Sequence, residues 1–465
     1  MILFRRRLLG GSAQGSACAS PVRWSLPLLA LAVLASLGAC SSFRDLYPRL
    51  DGLAAQGQYR QAAKLVEKYK DDYGDRNAVL YNLDRGTFYH YAGQYAESNK
   101  AFQLAEDRMD ELFTQSITQN VAAFAVNDNL LPYRGEDFES VIVDIFQALN
   151  YVSLGNVENA LVKARKVDEK LNYINSQYEP NARNVYKADG FARMLMGALY
   201  ETGGSRSDLN DAFISYRLAV GIYQNDFFTN YGVPVPAVLQ ANYVTTAQFM
   251  GSEEFQAAQS QFGATPLLSL DQLQAQGQLY FVHYDGRAPV KVESSINAVV
   301  AGNLLRIAFP EYRRRYYLIT GSRVLVDGQL ATTLDDGDPV GQIAIKNLDN
   351  RKGRIAAKAI ARATTKFLAN LAVQREAEKR GGQVAGLLAW AAGNAATAVS
   401  EQADLRSWQT LPDRILIGRV VVPAGKHRVQ VQLTTGAGAV VATRDLGEVE
   451  VRPGSTRFFL YQSNT

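Results

Sequence analysis

The stretch LAAQGQYRQAAKLVEKY, residues 53–69, combines a glycine, an aromatic residue two positions later and a small residue three positions after that. A similar order, with an aromatic or aliphatic residue at the second position, recurs in YHYAGQYAESNKAFQLA (89–105), in NYVSLGNVENALVKARKV (150–167) and, after a short insertion behind Gly203, in LYETGGSRSDLNDAFISYRLAVGIY (199–223). Further apolar residues follow each small residue at four and seven positions, which places them on one helical face. The pattern predicts repeated helix–turn–helix units, with glycine in each turn.

The repeats resemble the tetratricopeptide repeat (TPR), a helix–turn–helix unit of about 34 residues. The first two glycines, Gly57 and Gly93, are 36 residues apart, whereas the later units are spaced irregularly. A generic helical bundle with coincidental glycines is the alternative. We predict a TPR-like helical domain over residues 40–262.

The N-terminus has the pattern of a signal segment. Basic residues precede a 12-residue apolar run at 26–37, too short to span a bilayer. The run ends in LGAC, residues 37–40, which resembles the bacterial lipobox. The resemblance implies a signal peptide over 1–39, cleavage between Ala39 and Cys40, and lipidation of Cys40 that tethers the protein to a membrane. Ser41 favours the periplasmic face of the outer membrane; a chance cysteine after an ordinary signal peptide is the alternative.

Short β-rich runs punctuated by Asp-Gly pairs follow the helical domain. They predict an antiparallel β-sandwich-like domain in two parts, residues 263–350 and 404–465, giving an α+β multidomain chain. A helical insertion is predicted between the two parts, at 351–403. Within the insertion, the Ala- and Gly-rich run 383–399 suits a helix packed against its neighbour; a membrane-inserting or oligomerising hairpin is the alternative.

The distribution of charge argues against nucleic-acid binding, and the positions of the histidines argue against a metal site. The net charge is +4, but the first 40 residues hold four arginines and no acids, so the remainder is balanced at 45 basic and 45 acidic residues (49 − 4 against 45). We therefore expect no nucleic-acid partner. The three histidines lack ligand spacing, and we expect no metal and no cofactor. The acidic stretch 335–341 suits a helix start better than a calcium loop.

The stretch LPYRGEDFES, residues 131–140, groups three carboxylates after a proline. Acids in the first turn of a helix are stabilised by its positive end, so the stretch predicts a helix start rather than a catalytic loop. Its polar residues and two residues of the DLRSW segment are the candidates for a partner contact or an internal polar lock: Tyr133, Arg134, Glu136, Glu139, Arg406 and Trp408. No catalytic residue is predicted.

Several segments together, above all DLRSWQTLP at 404–412, are similar to an uncharacterised family of bacterial TPR-bearing envelope lipoproteins. The resemblance covers most of the mature chain and implies no enzymatic activity. We expect a non-enzymatic adaptor for unidentified envelope proteins, with a concave helical groove as its binding surface. The alternative is a carboxylate-based enzyme acting on envelope glycan, which requires two carboxylates about 5–10 Å apart in a cleft.

Overall fold

The structure, a computed structural model, describes residues 43–118, 128–178, 184–263, 268–300, 303–400 and 402–464. The predicted signal peptide and the lipidation site at Cys40 lie outside these ranges. Within them, the protein is a mixed α/β chain with a helical first part, followed by strands and one long helical segment. The predicted order of helical and β-rich parts is confirmed.

Helices occupy the chain up to residue 275. Their bounds are α1 Tyr47–Ala55, α2 Tyr59–Lys68, α3 Ala78–Tyr91, α4 Tyr95–Thr118, α5 Asp137–Ser153, α6 Val157–Ser176, α7 Gly190–Glu201, α8 Arg206–Ile222, α9 Ala237–Ala247, α10 Ser252–Phe262 and α11 Leu270–Ala275. Shorter helical turns lie between several of them. The four predicted repeats are the helix pairs α1–α2, α3–α4, α5–α6 and α7–α8.

Four glycines give these pairs turns of one kind. Gly57, Gly93, Gly155 and Gly204 have φ of +70°, +72°, +73° and +70°, a left-handed conformation that glycine adopts without strain. The glycine of the fourth turn is Gly204 rather than the predicted Gly203. The preceding helix can therefore end abruptly, and the chain reverses within a few residues.

Large residues of the second helix in two pairs pack on glycines of the first helix. A Cβ atom on Gly86 would overlap the ring of Phe102, and one on Gly197 would overlap the ring of Tyr216. Tyr216 lies 12 residues after its turn glycine and Phe102 lies 9 after its own. This difference of about one helical turn is the insertion seen in the fourth repeat.

Ten strands follow in the described residues, namely β1 Gln276–Asp285, β2 Val290–Val300, β3 Asn303–Arg313, β4 Gly321–Val326, β5 Gln329–Thr333, β6 Asp335–Asp338, β7 Arg414–Pro423, β8 Gly425–Thr434, β9 Val440–Val451 and β10 Thr456–Ser463. They form a first sheet in the order β10-β1-β7-β6, a second in the order β5-β4-β8-β9, and the hairpin β2-β3. The prediction of purely antiparallel strands is wrong for one pair, since β1 and β10 are parallel. The chain reaches β10 by crossing from the second sheet to the first, and a crossover permits parallel pairing.

The first sheet has a hydrophobic core on each face. Leu279 and Phe281 of β1 share one core with side chains of the second sheet. Tyr280, Val282 and Tyr284, which point the other way, belong to the core of the helices. Alternation along a strand explains this division, because successive side chains point to opposite faces. Helices and strands are thus joined by a continuous buried core.

The long helical segment Val340–Ser400 is broken at Gly382, which has φ +71° and ψ −173°. It comprises α12 (340–381) and α13 (383–400), and α12 begins before the predicted insertion at 351. The two helices fold back on each other, since Asn370 donates hydrogen bonds to the Gly393 carbonyl at 3.1 Å and the Thr397 hydroxyl at 2.9 Å. We call the helical hairpin of residues 351–400 the arm; β3 packs along it. Among the described residues, no helix is both long and apolar enough to cross a membrane.

Candidate functional site

The stretch 131–140 leads into helix α5, as its acidic residues predict. Gly135 has φ +78°, which allows the turn into the helix. Glu136 is the N-cap residue, and its backbone N–H donates to Oε2 of Glu139 at 3.0 Å. The two glutamates form a reciprocal capping box, which satisfies backbone donors that the first helical turn leaves unpaired.

Glu136 pairs with two cations from distant parts of the chain. Its carboxylate accepts hydrogen bonds from Lys291 of β2 and Arg351 of α12. Burial alone would raise the pKa of Glu136, but the charges of Arg351 and Lys291 outweigh burial and hold the pKa below its ordinary value. The charged glutamate therefore ties the start of α5 to the β2–β3 hairpin and to the base of the arm.

Glu139 lies in a different environment, although it is only three residues away. Its side chain is fully buried and accepts hydrogen bonds from the Tyr133 hydroxyl at 2.7 Å and the Trp408 backbone N–H at 2.7 Å. Burial, and then the charge of Glu136, raise the pKa of Glu139 to about 7. Neighbouring carboxylates of one capping box thus have pKa values on opposite sides of the ordinary glutamate value.

The DLRSW segment lies against the helices at this point. Asp404 and Arg406 form a two-pronged ion pair, with distances of 2.9 Å from Nε and 2.7 Å from Nη2. The guanidinium also donates to the Leu131 carbonyl at 2.9 Å and lies 5.3 Å from the centre of the Tyr133 ring. Lys291 donates to the Arg406 carbonyl at 2.9 Å. The segment is held by the same residues that hold the start of α5.

Trp408 fills the space between α3, α4 and α5. Its indole N–H donates to the hydroxyl of Thr87 at 2.9 Å, and its ring lies 5.7 Å from Phe102 and 5.8 Å from Phe146 between centres. A buried tryptophan with a satisfied N–H combines a large apolar contact with a directional bond. We call the set Tyr133, Glu136, Glu139, Lys291, Arg351, Arg406 and Trp408 the junction network.

A buried carboxylate extends the network towards the N-terminus. Asp84 of α3 accepts hydrogen bonds from the hydroxyls of Tyr47 at 2.9 Å, Tyr73 at 2.8 Å and Thr410 at 2.8 Å. Burial raises the pKa of Asp84 to about 6, against the opposing effect of these bonds. The first two helix pairs are thereby linked to the residues just after Trp408.

The first helices of the pairs also contact the first sheet. His90 of α3 lies 4.9 Å from Tyr284 of β1 between ring centres. Glu201 of α7 accepts a hydrogen bond from Gln278 of β1 at 3.0 Å, and Asn242 of α9 donates to Tyr280 at 2.9 Å. Strand β1 therefore packs on helices α3, α7 and α9, and the segment around Trp408 packs on α3, α4 and α5.

The structure brings the six candidate partner-contact residues together. Tyr133, Glu136, Glu139, Arg406 and Trp408 are all buried in the junction network. Arg134 is half-buried at its edge, 3.7 Å from the carboxylate of Asp137 and over the ring of Phe113. Of the two predicted roles, this geometry favours the internal polar lock, because a partner cannot reach buried side chains without opening the fold.

Sequence reasoning missed Lys291, Arg351 and Asp84. Lys291 is 155 residues from Glu136, and Arg351 is 215 residues away. No local motif marks either residue as an ion-pair partner. Their only sequence signal is weak: Lys291 is a cation inside an otherwise apolar β-rich run, and buried cations are commonly paired.

Two acidic residues of the stretch 335–341 have partners in distant parts of the chain. Asp335 accepts a hydrogen bond from the N–H of Ala237 at 2.7 Å, Asp336 pairs with Arg414 at 2.6 Å, and a helix begins just beyond, at Val340, as predicted. Within the described ranges, no group of three or more His, Cys, Asp or Glu side chains is arranged to hold a metal ion.

Comparison with protein-family models gives no match, and comparison with curated proteins gives none either.

Proposed function

We propose that this chain is a lipid-anchored periplasmic scaffold that binds other envelope proteins and has no catalytic activity. In this proposal the helix pairs are a TPR-like array and the two four-stranded sheets a sandwich-like domain. The anchor is a lipid on Cys40, and the location is the periplasmic face of the outer membrane. The repeated glycine turns support the array, and the core shared by the two sheets supports the sandwich.

The packing of β1 and of the segment around Trp408 on the helices supports the proposal and changes the expected binding surface. The inner side of the helical part, where TPR arrays bind peptides, is filled by β1 and by the segment around Trp408. A partner must therefore bind elsewhere, and the second helix of each pair offers an outward face. We call this face the outer ridge.

The outer ridge has a repeated chemistry. Its positions lie two and six residues after the small packing residue of each pair, and they hold Lys64, Lys68, Lys100, Leu104, Val162, Lys166, Ile214 and Leu218. Leu104 and Val162 are each 52 % exposed, and Leu218 is 43 % exposed. Aliphatic side chains beside lysines fit a partner surface that is apolar with acidic surroundings.

The enzymatic alternative has weaker support, because the two carboxylates that line one surface cleft, Asp336 and Asp413, are bound by Arg414 and Tyr317 respectively. A glycan hydrolase needs two carboxylates that face a cleft. Asp84, Glu139, Asp144 and Asp189, whose pKa values burial raises, are all fully buried. Asp84, Glu139 and Asp189 each accept hydrogen bonds from tyrosine hydroxyls, and Asp144 pairs with two lysines. These contacts suit structural roles.

The test is photo-crosslinking in cells, with a photoreactive amino acid at Leu104, Val162 or Leu218 of the full chain. We expect the same envelope protein to be recovered from all three positions by mass spectrometry. Val441, 43 % exposed on strand β9, is the matched control and should not yield it. Recovery from the control alone, or different background proteins at each position, would contradict the proposal.

A further inference from the structure

The arm exposes uncharged side chains on both of its helices. Between residues 355 and 374 of α12, the exposed residues are Ala357, Ile360, Ala361, Thr364, Thr365, Leu368, Ala369, Ala372 and Val373. Between 384 and 396 of α13, they are Val384, Leu387, Leu388, Ala391, Ala392, Ala395 and Ala396. Leu387 and Leu388 are 63 % and 66 % exposed. We call these two sets the α12 stripe and the α13 stripe.

The charged residues of the same part of α12 lie inside. Arg362 is buried, and Lys358 and Lys366 are half-buried. A helix on the surface of a soluble monomer has the opposite arrangement, with charges outward and apolar residues inward. The uncharged outer faces therefore require another molecule to cover them.

The two stripes point in opposite directions. Asn370 of α12 and Gly393 of α13 face each other across the hairpin. Leu368 is two residues before Asn370, and Leu388 is two residues after Gly386, which packs on Glu378 of α12. Two residues correspond to a rotation of about 200° around a helix. Each stripe thus lies on the side of its helix that faces away from the other helix.

The spacing within each stripe is that of a helix–helix seam. Ala357, Ala361, Thr364 and Leu368 follow one another at intervals of four, three and four residues. Val384, Leu388, Ala391 and Ala395 do the same. Such spacing keeps a seam in contact with a partner helix, and small residues permit close approach.

We propose that the arm is a self-association surface, in which the α12 stripe of one copy packs against the α13 stripe of the next. Such contacts join unlike faces, so they propagate from copy to copy and close into a ring when the rotation allows. Within such an assembly, each copy has its α12 stripe covered by one neighbour and its α13 stripe covered by another.

A bilayer would not satisfy the same geometry. A flat membrane surface covers one side of the hairpin and leaves the opposite stripe in water. Insertion of the arm tip-first would bury the exposed charges at its end, Arg375, Glu376, Lys379 and Arg380. Charged side chains are strongly disfavoured in the centre of a bilayer.

The size of the proposed contact is close to the lower limit for a specific interface. Each stripe extends over about 15 residues, or roughly 20–25 Å. Pairing two such stripes would bury on the order of 1,000 Å² in total, near the threshold for a specific interface.

The start of the described chain lies near the base of the arm. Phe43, only three residues after Cys40, lines the same surface cleft as Glu293 of β2 and Gln402 beyond α13. The proposed lipid anchor would hold the arms of neighbouring copies at the same distance from the membrane. This raises the effective concentration of one arm around the next.

The arm also carries a charge that makes its association dependent on salt. Residues 351–400 contain nine Lys or Arg and two Glu, a net charge of +7 (9 − 2). Because neighbouring arms repel each other, association between them should strengthen as ionic strength rises. Contacts with an anionic membrane would weaken instead.

The test is disulfide crosslinking between copies of the full chain. The double variant Leu368→Cys/Leu388→Cys should give a ladder of dimers, trimers and larger species on oxidation. Each single variant alone should remain monomeric, whereas a mixture of the two should give dimers. The double variant Leu330→Cys/Val441→Cys, also exposed but on the second sheet, is the control and should give no ladder.

The experiment is carried out with native Cys40 and with Cys40→Ser, which separates self-association from anchoring. A ladder in either background supports the proposal, whatever the Cys40→Ser protein shows about membrane attachment. Dimers from a single variant, in excess of those that native Cys18 and Cys40 give in the unsubstituted parent, would indicate like-to-like contact and would overturn it. So would the absence of a ladder in both backgrounds, or protection of the thiol of the Leu388→Cys variant from a soluble maleimide by phosphatidylglycerol vesicles alone.

A charge placed in the seam provides a second measurement. Leu388→Glu should weaken association roughly tenfold or more, because a carboxylate would be buried without a partner. Circular dichroism checks that the helix content is unchanged. Light scattering that shows an unaltered oligomer would overturn the proposal.

Discussion

The backbone N–H of Trp408 donates a 2.7 Å hydrogen bond to Glu139, 269 residues earlier in the chain. Glu139 is the third residue of helix α5, and Trp408 follows the arm. This bond joins the helical part to the segment that leads back into the sheets. It also places a buried carboxylate among hydrogen-bond donors, which determines how the protein responds to pH.

The free energy of unfolding should decrease as the pH rises from about 4.5 to 7, because the pKa of Glu139 is raised in the folded protein. Its pKa is raised to about 7 in the folded protein, while the ordinary value is 4.5. The folded state therefore binds more protons than the unfolded state in this window, and the contribution is lost as pH rises through 7. We expect a loss on the order of 1–3 kcal/mol.

The measurement is urea unfolding of the native chain and of Glu139→Gln from pH 4.5 to 8. The other buried carboxylates contribute equally to both proteins and cancel in the difference between the two free energies of unfolding. This difference should therefore change with pH across the window, as Glu139 of the native chain titrates. A difference that stays constant with pH would contradict the assigned pKa.

Arg134→Ala, at the half-exposed edge of the junction network, should change the free energy of unfolding by less than about 1 kcal/mol.

Removal of Glu136 should be strongly destabilising. Glu136→Ala leaves the buried Lys291 and the half-buried Arg351 without their shared carboxylate, and such a loss costs about 3–5 kcal/mol. Adding Lys291→Met should recover part of this cost, since one unpaired cation is then removed. A double-mutant cycle by urea unfolding measures the coupling; additive effects would show that the pair does not interact.

Two helical glycines should respond in opposite ways to alanine. A Cβ at Gly197 would overlap the buried ring of Tyr216, whereas a Cβ at Gly221 meets no atom within 4 Å. Gly197→Ala should therefore destabilise the protein by about 1–3 kcal/mol through overpacking. Gly221→Ala should stabilise it by about 0.5–1 kcal/mol. Thermal unfolding compares the two, and equal shifts would contradict the packing of Tyr216 on α7.

Lipidation at Cys40 is expected to be specific to that cysteine. Cys40→Ser should abolish incorporation of labelled palmitate and release the protein from the membrane fraction. Cys18→Ser changes the other cysteine of the chain and serves as the matched control, since it should leave both properties unchanged. Palmitate labelling of the Cys40→Ser protein would rule out the proposed anchor.

Much of the local structure could be predicted from the sequence. The glycines Gly57, Gly93 and Gly155 marked three helix turns, because glycine adopts the left-handed conformation without strain. The acids of 131–140 marked the start of α5, and the β-rich runs punctuated by Asp-Gly pairs marked strands in the second half of the chain. Turns, helix starts and strands depend on residues that are close together in the chain, so they can be predicted from one sequence.

Only the tertiary structure decided what the candidate residues do. Glu136 meets Lys291 and Arg351 across 155 and 215 residues, and no periodicity or motif encodes such a pairing. The parallel pairing of β1 with β10 is equally non-local. The packing of strand β1 on the helices, and the outward direction of the two arm stripes, also depend on how distant elements pack. Local chemistry determined the elements of this protein, whereas burial and long-range electrostatics determined which of their faces remain available to a partner.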